Sequence, residues 1–230
     1  MKEIKKLGKV FFVATPIGNL QDISLRAIDT LKSVDEIFCE NPRNSEKILK
    51  HHKILGKKLQ TFFCRSGEKS FQIIRKKIEN GQNLAIISDA GTPGISDPGQ
   101  KLIQFLIEKK INFSIIPGAS AFLSALILSG FSTNHFQFWG FIPHKKGREK
   151  FLKNLQQTDS TVVFYESSHR IKKCLQQIAK FLPQKKIAVC REITKIFEET
   201  LRGEANEILE ILNKFPKKFC GEFSVVISEK

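Results

Sequence analysis

Short apolar runs alternate with helical patterns along the first half of the chain. Each run has the usual length of a buried strand. The runs cover residues 10–15, 36–40, 59–64, 84–88 and 113–116. Between them, apolar side chains recur at helical spacing, at Leu25, Ile28, Leu31 and Val34, at Ile48 and Leu49, at Phe71, Ile74 and Ile78, and at Leu102, Ile103, Leu106 and Ile107. The alternation predicts an α/β domain, residues 1–117, whose parallel sheet has helices on both faces.

The second half of the chain has a different pattern, with an aromatic run and longer polar stretches. Strands are predicted at 136–142, 161–166, 186–192 and 223–227. Helices are predicted at 122–128, after residue 166 and at 204–212. We therefore predict a second α/β domain, residues 118–230, with a mixed sheet.

One loop of the first domain has an unusual composition. Residues 88–99 follow a strand and contain three glycines and two prolines. Asp97 suits a helix N-cap and Pro98 the first helical position, so a helix is predicted to begin there. Ligands of open α/β sheets bind at the carboxyl ends of strands, and we interpret the segment as a ligand-binding loop. A tight turn without a ligand is the alternative.

Composition adds information about partners and location. The net charge of +15 over 230 residues favours an anionic partner such as nucleic acid, although an A/T-biased coding sequence would also raise the lysine content. The five cysteines are scattered without metal-ligand spacing and predict reduced thiols. No apolar run is long enough to span a membrane, and the first residues lack the apolar core of a signal peptide. A cytoplasmic protein without a metal site is expected.

Common nucleotide and nucleophile motifs are missing from the sequence. It contains no GxxxxGK[ST] phosphate loop, no GxGxxG fingerprint and no GxSxG elbow. Instead, turns rich in Gly, Pro and Ser follow strands at 15–19, 89–93 and 117–121. Such turns let backbone groups approach a small cofactor that carries an adenine, a ribose and an amino-acid tail.

Charged residues also cluster where strands end. The clusters are Glu40 with Arg43, Glu166 with His169 and Arg170, and Arg191 with Glu192, Lys195 and Glu198. Solvated helix-surface charges would explain the last cluster. Because the charged residues cluster at three separate strand ends, a functional site is the favoured interpretation.

Four motifs resemble those of one enzyme family. They are TPIGNL at 15–20, SDAGTP at 88–93 with DPG at 97–99, FYESSHR at 164–170 and REITK at 191–195. They resemble the RsmI family of small-subunit ribosomal RNA (cytidine-2′-O)-methyltransferases, a branch of the tetrapyrrole-methylase superfamily. The resemblance implies two α/β domains with S-adenosylmethionine in the cleft between them, a homodimer, and 2′-O-methylation of a cytidine.

The resemblance also implies which residues contact the cofactor. By position they are Pro16, Gly91, Thr92, Ile95, Ser120 and Ala121, and on strands of the second domain Tyr165, Cys190 and Glu222. After the second strand the family usually reads Glu-Asp-Thr-Arg-x-Thr, whereas residues 40–45 here read ENPRNS, without the second acid and the hydroxyl. The family's C-terminal extension does not follow Ile227, so we expect weaker or altered docking on RNA.

Methyl transfer to a ribose 2′-hydroxyl is an in-line displacement that benefits from a base. The candidates for this base are Glu166, Glu192 and Lys195, with Glu40 behind them. Lys195 fits the role only if its pKa is depressed. Phosphate contacts are expected from Arg43, His169, Arg170 and Arg191, with outer contacts from Lys145, Lys146 and Arg148.

Two questions stay open at this point. Phe138, Trp139 and Phe141 suit base stacking and core packing equally. The alternatives to RNA methylation are methylation of a tetrapyrrole or a protein, and a cofactor- or RNA-binding homologue that has lost catalysis.

Overall fold

The computed structural model describes residues 7–62, 67–97, 99–144 and 147–229. Its contacts divide the chain into two compact units, Met1–Ser120 and Ala121–Lys230. Each unit is built on one five-stranded sheet, parallel in the first unit and mixed in the second. The predicted fold class, two α/β domains, is confirmed.

The first sheet has the strand order β3-β2-β4-β1-β5. Its strands are β1 Val10–Val13, β2 Glu36–Cys39, β3 Lys58–Thr61, β4 Leu84–Ile87 and β5 Phe113–Ile116. The helices that follow the first four strands are α1 Leu25–Ser33, α2 Pro42–His51, α3 Gly67–Glu79 and α4 Gln100–Glu108. Because the strands are parallel, the carboxyl ends of β1, β2 and β4 lie along one edge of the sheet, where ligands of such sheets bind.

Neighbouring side chains of each central strand enter two different apolar cores. Phe12 and Ile86 pack with the buried residues of α3 and α4. The adjacent Val13 and Ala85 pack with those of α1 and α2. Since helices cover both faces, β2 and β4 are buried at every position, which explains their uninterrupted apolar runs.

The second sheet has the strand order β6-β7-β10-β8-β9, and its one parallel pairing joins β6 to β7. Its strands are β6 Phe136–Phe141, β7 Thr161–Ser167, β8 Ile187–Arg191, β9 Glu199–Gly203 and β10 Glu222–Ile227. The helices are α5 Ala121–Ser129, α6 Arg148–Asn154, α7 Ser168–Phe181 and α8 Ala205–Lys214. Val189 faces the core formed with α6, α7 and α8, whereas the next residue, Cys190, faces α5.

Sequence periodicity missed two elements of the second unit. Strand β9 lies at the sheet edge and has one apolar side chain, Leu201, so it lacks an apolar run. Helix α6 buries Phe151 and Leu152 together with Arg148, a charged residue in a core position. The arginine hides the helical pattern because charged residues normally mark the solvent face.

The structure confirms one predicted helix start and contradicts other predictions about helix starts and buried faces. Ser24 caps α1 as predicted, and its hydroxyl accepts a hydrogen bond from Ala27 N at 3.1 Å. Two residues assigned to buried faces are exposed, Leu25 at 81% and Ile107 at 61%. Helix α4 begins at Gln100, later than predicted. Pro98, and Cys64 of the predicted third strand, lie outside the described residues.

Candidate active site

Three turns of the first unit meet at the carboxyl ends of its strands. Thr15, after β1, exchanges backbone hydrogen bonds of 2.9 and 3.0 Å with Gly91. The Thr15 hydroxyl donates to the Ser88 carbonyl at 3.1 Å. The third turn approaches so closely that a Cβ on Gly118 would lie 2.9 Å from the Ala14 Cβ. The structure therefore brings together the three turns that the sequence singled out.

Gly91 occupies a position that other residues fill poorly. Its φ is +77°, in the left-handed region, and an added Cβ would lie 3.4 Å from Ile17 Cγ2. The predicted cofactor residues of this unit differ in exposure. Ile95 is exposed, Thr92 and Ser120 are half-buried, and Pro16 and Gly91 are buried. The side chains open to a ligand at this edge are thus those of Thr92, Ile95 and Ser120.

The turn that departs from the family pattern is bonded to the second loop. Asp89 accepts hydrogen bonds from Asn41 N at 3.2 Å and Asn44 Nδ2 at 2.9 Å. The Asp89 N–H donates to Glu40 Oε2 at 3.1 Å. Asn41 is also the N-cap of α2, with Pro42 at the first helical position, and both residue types are favoured there. The altered turn keeps the helix start and connects it to the loop.

Asp97 is a candidate that sequence reasoning assigned only to a helix cap. That assignment is wrong, because Gly99 is the N-cap of α4 and no side chain caps the helix. Burial and then the charge of Glu40 raise the pKa of Asp97 to about 6, with a smaller rise from Asp89 and an opposing hydrogen bond from Ser88. A carboxyl group with such a pKa can exchange a proton near neutral pH.

Glu166 lies at the end of β7 and is 2% exposed. Its Oε1 accepts from Arg170 Nε at 2.9 Å and from Ser167 N at 2.9 Å, and its Oε2 pairs with Arg148. This carboxylate is buried and held between two guanidinium groups, so it has no access to a ribose hydroxyl. This geometry does not fit the role of base for Glu166. Nor does it fit an outer RNA contact for Arg148, which is also 2% exposed.

Glu192, Lys195 and Glu222 form a second ion-pair cluster. Lys195 Nζ donates to Glu192 Oε1 at 2.9 Å and to Glu222 Oε2 at 3.0 Å. Burial lowers the pKa of Lys195, but the hydrogen bonds to these carboxylates and their charges outweigh it, so the pKa is raised. Burial raises the pKa of Glu192, but the bonds from Lys195 and the Glu222 N–H and the nearby positive charges leave it lowered. Lys195 is thus not the neutral amine that a base requires.

Arg191 also has structural partners. Its guanidinium donates to the Phe197 carbonyl at 3.1 Å and the Cys220 carbonyl at 3.2 Å, and the side chain is 11% exposed. A free phosphate contact by Arg191 does not fit this arrangement. Cys190 is fully buried, and its Sγ lies 3.9 Å from the Ala125 carbonyl, so its side chain is closed to a cofactor.

The remaining predicted residues keep open positions or lie outside the described ranges. Arg43 and His169 are exposed, and Ala121 is half-buried. Lys145 and Lys146 lie outside the described residues. Among the aromatics, Phe138 stacks on Phe122 with ring centroids 4.3 Å apart and meets the edge of Tyr165, so it packs within the second unit. Trp139 and Phe141 are 50% and 55% exposed and stay available to a partner.

Comparison with known proteins identifies the family to which this chain belongs. The sequence profile of the Tetrapyrrole (Corrin/Porphyrin) Methylases matches residues 9–209. The chain belongs to this family. Within the family it is similar to the ribosomal RNA small subunit methyltransferase I of Thermotoga maritima, with 39% identity over 97% of this chain and 100% of that protein. The protein of the same name from Halalkalibacterium halodurans is 40% identical over 96% of this chain and 75% of its own length.

Solved structures of other proteins share the fold at low sequence identity. Diphthine synthase superposes with a TM-score of 0.73 at 14% identity, covering 96% of this chain and 89% of that one. Cobalt precorrin-4 methyltransferase superposes with a TM-score of 0.70 at 14% identity, covering 96% and 94%. These two likenesses concern the fold alone.

Two further searches concern only the described residues. Within residues 7–62, 67–97, 99–144 and 147–229, no cluster of three His, Cys, Asp or Glu side chains is arranged to hold a metal ion. Over the same ranges, no helix has the length and apolar character needed to cross a membrane.

Proposed function

We propose that this tetrapyrrole methylase transfers a methyl group from S-adenosylmethionine to the 2′-oxygen of a cytidine in small-subunit ribosomal RNA. The observation that carries the proposal is the 39% identity, over 97% of the chain, to a protein named as a ribosomal RNA small subunit methyltransferase. The net charge of +15 supports a polyanionic substrate. The 2′-oxygen and the cytidine rest on the motif resemblance.

The three contacting turns of the first unit support binding of the cofactor there. Gly118 allows the third turn to approach β1 within a distance that a Cβ would block, and Gly91 supplies the positive φ of the second turn. Thr92, Ile95 and Ser120 offer one apolar and two hydroxyl side chains at the same edge. This mixture suits a ligand with a ribose, a base and an amino-acid tail. When bound, S-adenosylmethionine supplies an electrophilic methyl group.

The proton of the ribose hydroxyl needs an acceptor, and the first unit supplies the better candidates. Glu40 is half-buried at the end of β2, next to the second loop. Asp97, whose pKa is about 6, is coupled to Glu40 through charge. In this proposal Asp97 accepts the proton and Glu40 supplies the neighbouring negative charge, while Glu166 and Lys195 hold structure in the second unit. Positioning of the hydroxyl supplies the rest of the acceleration.

Helix α5 supports the proposed homodimer. All of its residues except Ser124 and Ser129 are apolar, yet Leu123 is 49% and Ile127 is 74% exposed. A helix that is apolar on all sides is normally buried, and a second copy of the chain would cover it.

The cysteines support a cytoplasmic location. Buried Cys39, Cys174 and Cys190 are all free thiols, which is consistent with a reducing cytoplasm.

A labelled-methyl assay tests the proposal. The protein is incubated with methyl-labelled S-adenosylmethionine and small ribosomal subunits, free small-subunit RNA, or a tetrapyrrole. Label in a cytidine 2′-O-methyl group is the expected result. Label in a tetrapyrrole or in ribosomal protein contradicts it. Cofactor binding by calorimetry without transfer to any acceptor identifies a homologue that has lost catalysis.

A further inference from the structure

A chain of polar contacts connects the interior of the second unit to its surface. Glu166 is at its buried end, paired with Arg148 and with Arg170 Nε. Arg170 Nε also donates to Ser167 Oγ at 2.8 Å. Arg170 Nη1 contacts the ring of exposed His144, at 2.7 Å from Nε2. The guanidinium is therefore held at its Nε edge, and its Nη edge faces His144.

The charges along this chain do not balance. Two guanidinium groups, those of Arg148 and Arg170, share the single carboxylate of Glu166. Arg148 and Glu166 are both fully buried, so the surplus positive charge is expressed at Arg170, whose side chain is 20% exposed. An exposed guanidinium edge with a neighbouring imidazole is a donor set that matches phosphate oxygens.

We propose that His144 and Arg170 together bind a phosphate of the RNA backbone, and that Glu166 is the positioning residue that fixes Arg170 for this contact. The proposal rests on the proposed function for the identity of the ligand. It adds His144, which has no motif signal, and gives Glu166 a role other than base. Arg170 lies in the first turn of α7, where the helix dipole also favours an anion.

The surroundings favour a nucleic-acid phosphate. The Arg170 guanidinium lies 6.0 Å from the centre of the Phe141 ring, which is 55% exposed. An aromatic face beside an arginine is a common arrangement for holding a nucleotide, with the base on the ring and the phosphate on the guanidinium. Phe141 is the last residue of β6, and His144 follows shortly after it in the chain.

The salt dependence of RNA binding tests the phosphate contact. A fragment of small-subunit ribosomal RNA is titrated with the full chain at several salt concentrations. Arg170→Met removes one positive charge and is expected to reduce the slope of log K against log salt by about 0.7 to 0.9. His144→Ala removes a hydrogen-bonding group, and its readout is the affinity. In both variants the affinity at physiological salt should fall about tenfold. His135→Ala, an exposed histidine just before β6, is the matched control and should keep the wild-type slope and affinity.

A double-mutant cycle tests the positioning by Glu166. Glu166→Gln should reduce the slope as Arg170→Met does, and should add no further loss in the Arg170→Met background. Glu166→Asp replaces it in the test if Glu166→Gln does not fold. This variant retains the charge on a shorter side chain and should bind RNA with an affinity between those of the wild type and Arg170→Met. Cofactor binding by calorimetry should stay at the wild-type value in every folded variant.

The outcomes separate this inference from the function on which it rests. A wild-type slope in Arg170→Met, together with wild-type affinity in His144→Ala, overturns the phosphate site, even if the wild-type protein methylates ribosomal RNA. A normal slope in folded Glu166→Gln overturns the positioning role, as does wild-type affinity in Glu166→Asp where only that variant folds. Failure of the wild-type protein to methylate ribosomal RNA refutes the proposed function, and it is seen in a different assay.

Discussion

Replacement of Asp97 by Asn should stabilise the protein at neutral pH but not in acid. The fold raises the pKa of Asp97 from 3.8 to about 6, mainly through burial and the charge of Glu40. A raised carboxyl pKa means that the fold favours the protonated form. Its contribution to stability is fully present below about pH 4 and is lost as the pH rises to about 6.

The magnitude follows from the same shift. The rise from 3.8 to about 6 corresponds to at most about 3 kcal/mol. Asp97 is only half-buried, and solvent screening reduces this to about 1 to 1.5 kcal/mol. Asp97→Asn removes the charge and keeps the shape, so the free energy of unfolding should increase by that amount at pH 7.5. At pH 4 the variant and the wild type should be equally stable.

Urea unfolding followed by circular dichroism at pH 4, 5, 6 and 7.5 measures the difference. Asp29→Asn, at an exposed position of α1, is the control and should show no such pH dependence. Glu40→Gln should diminish the gain from Asp97→Asn, because the charge of Glu40 is the second cause of the raised pKa. A variant whose stability relative to wild type is the same at pH 4 and pH 7.5 would refute the reasoning.

Three further changes probe separate parts of the molecule. Gly118→Ala should weaken S-adenosylmethionine binding in calorimetry, because its Cβ would lie 2.9 Å from the Ala14 Cβ; Ala14→Gly in the same chain should restore binding. Glu166→Ala leaves the buried guanidinium of Arg148 without its carboxylate and should lower the free energy of unfolding by about 3 to 5 kcal/mol, whereas Glu149→Ala, at an exposed ion pair, should leave it unchanged. Ser24→Ala removes the α1 cap and should cost about 1 kcal/mol in urea unfolding.

Local sequence pattern was sufficient for most of the architecture. The central strands β1, β2 and β4 of the first unit appear as apolar runs because helices cover both faces of the sheet. The cap at Ser24 and the glycine-rich turns are local signals as well, since they depend on the chemistry of a few adjacent residues. Exposed Leu25 and Ile107 show the limit, because periodicity does not reveal which apolar positions lack a covering element.

Only the tertiary structure decided the state of the charged residues. Glu166 and Arg170 are four residues apart, but Arg148 comes from a different helix, and only the pairing of Glu166 with Arg148 made burial possible where the isolated charges would be costly. The pKa values of Asp97 and Lys195 likewise depend on groups brought together by folding. The sequence determines which side chains are ionisable, but packing determines their solvation and their partners. Sequence motifs therefore located the strand ends that carry the candidate site, and the fold determined which of their side chains face outward.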